Sequence, residues 1–297
     1  MEETQLPSEK RAKAISWGQD RRLQFIDFRL RWSGQLNRTD LTEYFGISIP
    51  QASLDVSLYS SLAQANLVYD RGSKAYHTGQ HFQPLYGRTS AKRFLAELLA
   101  TELGIMEAGA SFIGRAPACA VAPSPERSLD DEMVVRIVKA ILGRQKILAC
   151  YQSMSSPEPG ERWLSPHALG YDGFRWHMRA YCHKRGGFYD FVLARVLAIA
   201  ASEGTEIDPA KDFIWHRIVD LVLAPHPELA GGKRKVIELD YGMTDGEVHL
   251  HCRQALLYYT LKRLGLLAAE APDPNVQQIV LANREQVQPL IDEAMAG

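Results

Sequence analysis

The sequence predicts an α+β multidomain chain: an N-terminal winged helix-turn-helix, a central small β-barrel of SH3-like or Sm-like type, and a C-terminal βαββαβ unit of ferredoxin-like type. Three observations predict it. A helix, a glycine-containing turn and a second helix precede two short strand-forming runs near residue 70. Alternating apolar runs separated by Asp-Gly and Gly-Gly turns fill residues 146–199. A strand, hairpin and helix pattern recurs beyond residue 218. The proline-rich run RAPACAVAPSPER, residues 115–127, separates the first pattern from the others. The length of 297 residues suits two or three domains at roughly 100–200 residues each. With 46% hydrophobic and 23% charged residues, wholesale disorder and fibrous repeats are excluded.

The first helix is RRLQFIDFRLRWSG, apolar at Leu23, Phe25, Ile26, Phe28, Leu30 and Trp32 and stopped by Gly34. A short second helix runs through Asn37–Phe45, capped by Thr39 or Asn37 and ended by Gly46. Ser48 caps a third helix with Pro50 in its first turn, reaching about Gln64. The run from Leu67 to Thr78, turning at Arg71-Gly72-Ser73-Lys74, predicts the wing hairpin.

In the third helix, Leu54, Leu58 and Leu62 recur every four residues and are expected to face the core. Gln51, Ser53, Asp55 and Ser57 then lie toward the outside at the helix start, where small polar groups allow deep entry into a major groove. Gln pairs with adenine and Ser with either base, while Asp55 must accept from a cytosine amine or pair with a neighbouring arginine. Arg71 and Lys74 at the wing tip are placed for phosphates, and Arg38, Thr39 and Ser48 complete the candidate DNA contacts. A winged helix used for protein contact, with a solvated polar face, is the alternative.

The formal net charge of −1 first argues against nucleic acid. Its distribution reverses that. Residues 1–93 carry 13 Lys plus Arg against 9 Asp plus Glu, and residues 144–199 carry 8 against 4, so each has a net of +4 within an otherwise acidic chain. Residues 90–107, SAKRFLAELLATELGIME, predict an amphipathic connecting helix, and residues 129–142 another.

The middle strands are Ile147–Tyr151, Trp163–Tyr171, Phe174–Cys182 and Phe188–Ile199, and five short strands closing on themselves make the barrel. Alternation sets Arg175, His177, Arg179 and Tyr181 on the face opposite Trp176, Met178, Ala180 and Cys182. With Arg195, the arginines and histidine form either a phosphate-binding or single-stranded nucleic-acid patch with aromatic neighbours, or a solvated sheet face.

No P-loop, GxSxG, GxGxxG opening a helix, or HExxH occurs, so no enzyme, cofactor or metal is expected. His249 and His251 share a strand face but read as a surface pair. Cys119, Cys150, Cys182 and Cys252 are too dispersed for a zinc knuckle or a disulfide framework. No apolar run approaches a membrane span, and the polar start MEETQLPSEKRAK is unlike a signal peptide, which points to the cytoplasm and away from membranes.

The run RWLSPHALGYDGFRWHMRAYCH from Arg162, followed by Phe191-Val-Leu-Ala-Arg195, resembles the WYL domain, although Trp176-His177-Met178 stands where that family has Trp-Tyr-Leu. Together with QASLDVSLY in the third helix and NLVYD at the wing, it resembles the BrxR and CapW group of bacterial winged-helix WYL repressors that control anti-phage operons. The resemblance implies a homodimeric, nucleoid-associated repressor on a palindromic double-stranded operator, released by a nucleotide-like or nucleic-acid ligand in the barrel. It maps the ligand pocket onto Tyr151, His167, Trp176, His177, Arg179 and Arg195. It also implies dimerisation through a C-terminal extension, read here as strands Ile218–Ala224 and Val236–Tyr241, a turn at Thr244-Asp-Gly246, strand Val248–Cys252, helix Gln254–Leu264 and strand Gln278–Leu281. The expected domains are 1–88 for DNA, 89–143 as a helical linker, 144–207 as the sensor and 208–297 for dimerisation. A single-stranded nucleic-acid adaptor with a docking winged helix is the rival.

Overall fold

The computed structural model describes residues 16–87, 90–125, 127–268 and 273–296. The N-terminal segment MEETQLPSEKRAK and Glu126 of the proline-rich run lie outside them. The chain divides into two compact units, residues 1–124 and 125–297.

In the first unit, α1 (Trp17–Ser33) begins at Ser16, whose hydroxyl accepts from the Gln19 amide, and stops at Gly34, where φ of +73° favours glycine. There follow β1 (Gln35–Leu36), α2 (Arg38–Phe45), α3 (Ile49–Leu62), β2 (Leu67–Asp70), β3 (Ala75–Thr78) and α4 (Ala91–Glu102). Asn37 is the cap α2 uses, in a reciprocal box with Asp40. The two expected wing strands pair antiparallel, and β1, too short to leave a periodic signal, adds a third strand in the order β1-β3-β2. Phe25, Phe28, Leu30, Leu41, Val56 and Tyr59 form the buried centre. A buried polar hub crosses it: the Tyr59 hydroxyl donates to Asp27 at 2.6 Å, Asn66 Nδ2 donates to that hydroxyl at 2.9 Å, and the Leu85 amide donates to Asp27 at 3.0 Å. Gly79 lies so close to the Ala65 carbonyl that a Cβ would overlap it, and this fixes the exit from the wing. α4 is held to this unit by Phe94, whose ring stacks on Trp32 at 4.4 Å.

The inward face of α3 differs in part from the expected one. Ala52, Asp55, Val56 and Tyr59 are buried and Leu58, half-buried, packs against the core as expected, whereas Leu54 is 63% exposed and Leu62 is also exposed. The leucine repeat matches a helical period, but the aromatic Tyr59 and the small Ala52 fill the space against α1, and this turns Leu54 and Leu62 away from the core.

The second unit starts with α5 (Asp131–Leu142), which lays Ile137 and Ala140 on a five-stranded antiparallel sheet. Its strands are β4 (Gln145–Tyr151), β5 (Gly160–Tyr171), β6 (Trp176–Cys182), β7 (Gly187–Val192) and β8 (Val196–Gly204), in the order β7-β6-β5-β4-β8. Bulges at Leu148/Ala149, Cys150/Tyr151 and Pro166/Ala168 bend it. Among the described residues no ladder joins β7 to β8, so hydrogen bonding does not close the sheet into a ring.

α6 (Phe213–His216) leads to β9 (Ile218–Pro225), α7 (Gly231–Asp240), β10 (Val248–Arg253), α8 (Gln254–Arg263), β11 (Ile279–Leu281) and α9 (Arg284–Ala296). Here the expected βαββαβ order is corrected. Residues 236–241, read as a strand, lie mostly in α7, and the sheet has three antiparallel strands in the order β10-β9-β11. A short apolar run such as Val236-Ile237-Glu-Leu239 fits either state. Only Ile237 of the three is buried, and an Arg234–Glu238 pair at 2.9 Å spans one helical turn. The four cysteines are free thiols.

Candidate nucleic-acid interface and ligand cavity

α3 is preset by its ends: Ser48 accepts from the Gln51 amide at 3.3 Å, Pro50 occupies the first turn, and Gly46 with φ of +63° ends α2. Of the residues expected to read DNA, Ser48 and Ser57 are exposed, Gln51 and Ser53 half-buried. Asp55 is turned inward and fully buried. It accepts from Arg22 Nε at 2.6 Å and Nη2 at 3.3 Å, from Gln19 at 3.1 Å and from Gln51 at 3.1 Å. Of its two expected roles, the arginine pair is the one built, and a contact with cytosine is excluded by burial. The pair locks α3 against α1 and points the Gln51 amide along the helix.

The wing tip is shaped by Asp70, which accepts from the Gly72 and Ser73 amides at 2.9 and 3.0 Å and from the Ser73 hydroxyl at 2.6 Å. These bonds, the Ser73 hydroxyl foremost, hold its carboxyl down at about 2. Lys74 takes the left-handed conformation with φ of +55°, and Arg71 and Lys74 project into solvent with no carboxylate partner among the described residues. Arg38 lies over the Tyr69 and Tyr76 rings at 5.9 and 5.4 Å and donates to the Tyr76 hydroxyl at 2.6 Å, tying the start of α2 to the wing. Thr39 is exposed beside it.

In the second unit a cavity of about 300 Å³ opens among the ends of β4 to β7, with α8 and α9 on its far side. Of the expected pocket residues it takes Tyr151, Arg179 and Arg195. His167, Trp176 and His177 do not line it. His167 borders a separate cavity of about 180 Å³ with Ser165 and Thr205. Trp176 is exposed beside Tyr171. His177 is buried, donating from Nε2 to Asp172 at 2.9 Å and tilted on the Tyr259 ring at 4.6 Å.

Burying both faces of β6 replaces the expected cationic patch with an ion network. Arg179 donates to Asp212 from Nε at 2.7 Å and Nη2 at 2.9 Å, and to Asp190 at 3.3 Å, while His167 meets the same Asp212 at 2.9 Å. Burial opposes the charge of Arg179, but the carboxylates outweigh it and raise the guanidinium above its ordinary range. Burial likewise opposes ionisation of Asp212, yet bonds from Arg179 and His167 hold it well below the usual carboxylate range. Burial pushes Asp190 up, against the pull of Arg179.

The cavity therefore takes its available positive charge from Arg162, Arg185 and Arg195. Arg162 lies over the Tyr151 ring at 5.4 Å with its Nε buried and unpartnered, and Arg185 lies 3.9 Å over Tyr189. Tyr151 is fixed edge-on to Phe191 at 5.1 Å and accepts from the Val192 amide at 3.1 Å. Sequence reasoning passed over Arg162, Arg185, Tyr189 and Tyr259. Their convergence depends on the β4–β5 register and on α8 packing against β6, neither of which leaves a local pattern.

His249 and His251 both reach Asp220 across the β9–β10 ladder, at 2.7 and 3.2 Å. Among the described residues no cluster of three or more His, Cys, Asp or Glu is placed to hold a metal ion, and no helix is long and apolar enough to cross a membrane.

Comparison with known proteins gives three family matches in chain order: the BrxR transcriptional regulator winged helix-turn-helix domain over residues 18–100, the WYL domain over 132–201, and the BrxR transcriptional regulator C-terminal dimerization domain over 218–287. A protein of Escherichia coli strain KTE188 named DNA-binding transcriptional repressor CapW is 44% identical over 289 residues, covering 96% of both chains. Proteins of the same name from Pseudomonas aeruginosa and Stenotrophomonas maltophilia are 44% and 43% identical, covering 96% and 95% of both chains. Among solved structures, the proteasome accessory factor PafBC of Arthrobacter aurescens matches all of this chain at 18% identity and a TM-score of 0.25, and the chain spans about half of its length, 52%.

Proposed function

Because the chain belongs to the family of BrxR and CapW winged-helix WYL proteins, we infer that it is a DNA-binding transcriptional repressor acting as a dimer. The observation that carries this is the end-to-end match at 44% identity to repressors of that name, with all three domain types in order. Residues 1–88 read a palindromic operator, 89–143 connect, 144–207 form a barrel-like sensor and 208–297 join the two protomers. Symmetry serves specificity, since one recognition helix reads few base pairs and paired half-sites add spacing as information. Ser48, Gln51, Ser53 and Ser57 face the bases, and Arg38, Thr39, Arg71 and Lys74 take the phosphates. The site of action is the bacterial cytoplasm, on the nucleoid, and the controlled genes form an anti-phage operon.

The inducer is an anionic nucleotide or short nucleic acid bound at Tyr151, Arg162, Arg185 and Arg195, with Arg179 holding the cavity wall. Arginines stacked on tyrosine rings suit phosphates and bases together, and this supports the assignment. The test is release of a labelled promoter fragment, followed by fluorescence anisotropy, on adding mononucleotides or short single-stranded oligonucleotides. Release of the native chain, with Arg162→Ala and Arg195→Ala still bound to promoter but insensitive, is expected. Equal release of native and variant chains would overturn the cavity assignment.

A further inference from the structure

On α3 the residues opposite the buried set Ala52, Asp55, Val56 and Tyr59 are Pro50, Leu54, Ser57 and Ser61, since successive residues turn by about 100°. Leu54 sits in the middle of this outward face and is 63% exposed. It has no core role, and nothing in the first unit covers it. The face carries no charge, because the one ionised side chain of α3, Asp55, is buried against Arg22.

The serines around Leu54 have already committed their donors. Ser53 donates to the Ile49 carbonyl at 3.0 Å, Ser57 to the Ser53 carbonyl at 2.8 Å and Ser61 to the Leu58 carbonyl at 2.7 Å. In these positions each hydroxyl retains only its acceptor lone pairs. A helix with this surface is poorly equipped to donate to guanine or to the thymine carbonyl. It is equipped to accept from the exocyclic amines of adenine or cytosine and to bury a methyl group. In a major groove the thymine C5-methyl is the apolar group on offer.

We propose that Leu54 is a specificity-determining residue that reads thymine through its methyl group, at the centre of a recognition helix whose serines serve as acceptors. The proposal rests on the assignment of α3 as the DNA-reading helix, to which Leu54 belongs, and on the exposed cations Arg71 and Lys74 that the wing of the same unit carries.

The experiment uses the full chain and its own promoter fragment, prepared once with thymine and once with uracil throughout, alongside random duplexes of both kinds. Uracil removes the methyl and leaves the pairing edge unchanged. The native chain should lose about tenfold in affinity for the uracil promoter, the value of burying one methyl in each of two half-sites. The random duplexes should differ little. Leu54→Ala should bind the thymine promoter about tenfold more weakly and be indifferent to uracil, while Leu54→Met, which restores an apolar tip, should regain the uracil penalty. As Leu54 is exposed, both variants should unfold at the native temperature, and Leu54→Met serves if Leu54→Ala does not fold.

Equal binding of thymine and uracil promoters by the native chain would overturn the proposal. So would an undiminished uracil penalty in Leu54→Ala, which would place the methyl contact elsewhere. No preference of the native chain for promoter over random duplex would instead remove the DNA-reading assignment of α3, and the Leu54 proposal with it.

Discussion

Arg179 and Asp212 are joined by two hydrogen bonds, of 2.7 and 2.9 Å, with both side chains buried, Arg179 on β6 and Asp212 just before α6. Asp190 and His167 complete the network. Removing the cation takes it from the buried carboxylate of Asp212 and the half-buried one of Asp190, so Arg179→Ala should cost about 3–5 kcal/mol of stability. Arg195, which has no carboxylate partner among the described residues, should tolerate Arg195→Ala within about 0.5 kcal/mol. Thermal denaturation by circular dichroism checks the pair, and equal stabilities would contradict the network. The same contrast separates the two arginines: Arg179 holds the wall of the cavity, and Arg195 is the one proposed to meet the ligand.

The Arg22–Asp55 pair positions α3, so its loss should weaken DNA binding without changing sequence preference. Arg22→Ala leaves a fully buried carboxylate and should destabilise by about 3 kcal/mol. The double variant Arg22→Ala with Asp55→Ala should be less destabilised than the sum of the single variants, because neither charge is left stranded. Urea unfolding of the four chains measures this. Additive losses would mean that the two residues act separately.

Asp172 accepts from His177, from the Phe174 and Arg175 amides, both at 2.7 Å, and from Arg175 Nε at 3.0 Å. Burial opposes its ionisation, but these bonds keep the carboxyl well below the ordinary aspartate value of 3.8, as Arg179 and His167 do for Asp212. Folded values below unfolded ones mean that unfolding takes up protons in acid. The stabilising contribution is complete above about pH 5 and is lost as pH falls through 3.8 toward the folded values. Asp172→Asn should therefore be less stable than the native chain at neutral pH and approach it as pH falls toward 3. Stability measured by urea titration across that window tests the direction, and a deficit that grows in acid would contradict it.

Arg71 and Lys74 on the wing tip are expected on phosphates. Each alanine variant should weaken promoter and random duplexes alike and lower the slope of log affinity against log salt by about one. A selective loss on promoter DNA would move these residues from phosphate to base contacts.

The winged helix was largely legible because its punctuation is local. Ser48, Pro50, Gly46 and the turn at Arg71–Lys74 sit where short-range sterics and capping demand them. The hairpins of the middle sheet were legible for the same reason. What the chain hides is decided at long range. Arg22 lies 33 residues before Asp55, so neither the burial of that aspartate nor the rotation of Leu54 and Leu62 away from the core could be read from periodicity. His177 and Arg179 alternate as a solvated face should, yet α8 and the segment around Asp212 cover that face. In α7 one buried Ile237 was too little signal to separate helix from strand.

As a dimeric DNA-binding repressor, the chain is expected to recognise its own promoter in sequence-specific fashion. An electrophoretic shift titration of the full chain against its promoter fragment and against random duplex of equal length, at one physiological salt concentration, tests it most directly. A single complex with two protomers per duplex is expected, bound at least about a thousandfold more tightly to the promoter than to random DNA. Equal affinity for the two duplexes would contradict it.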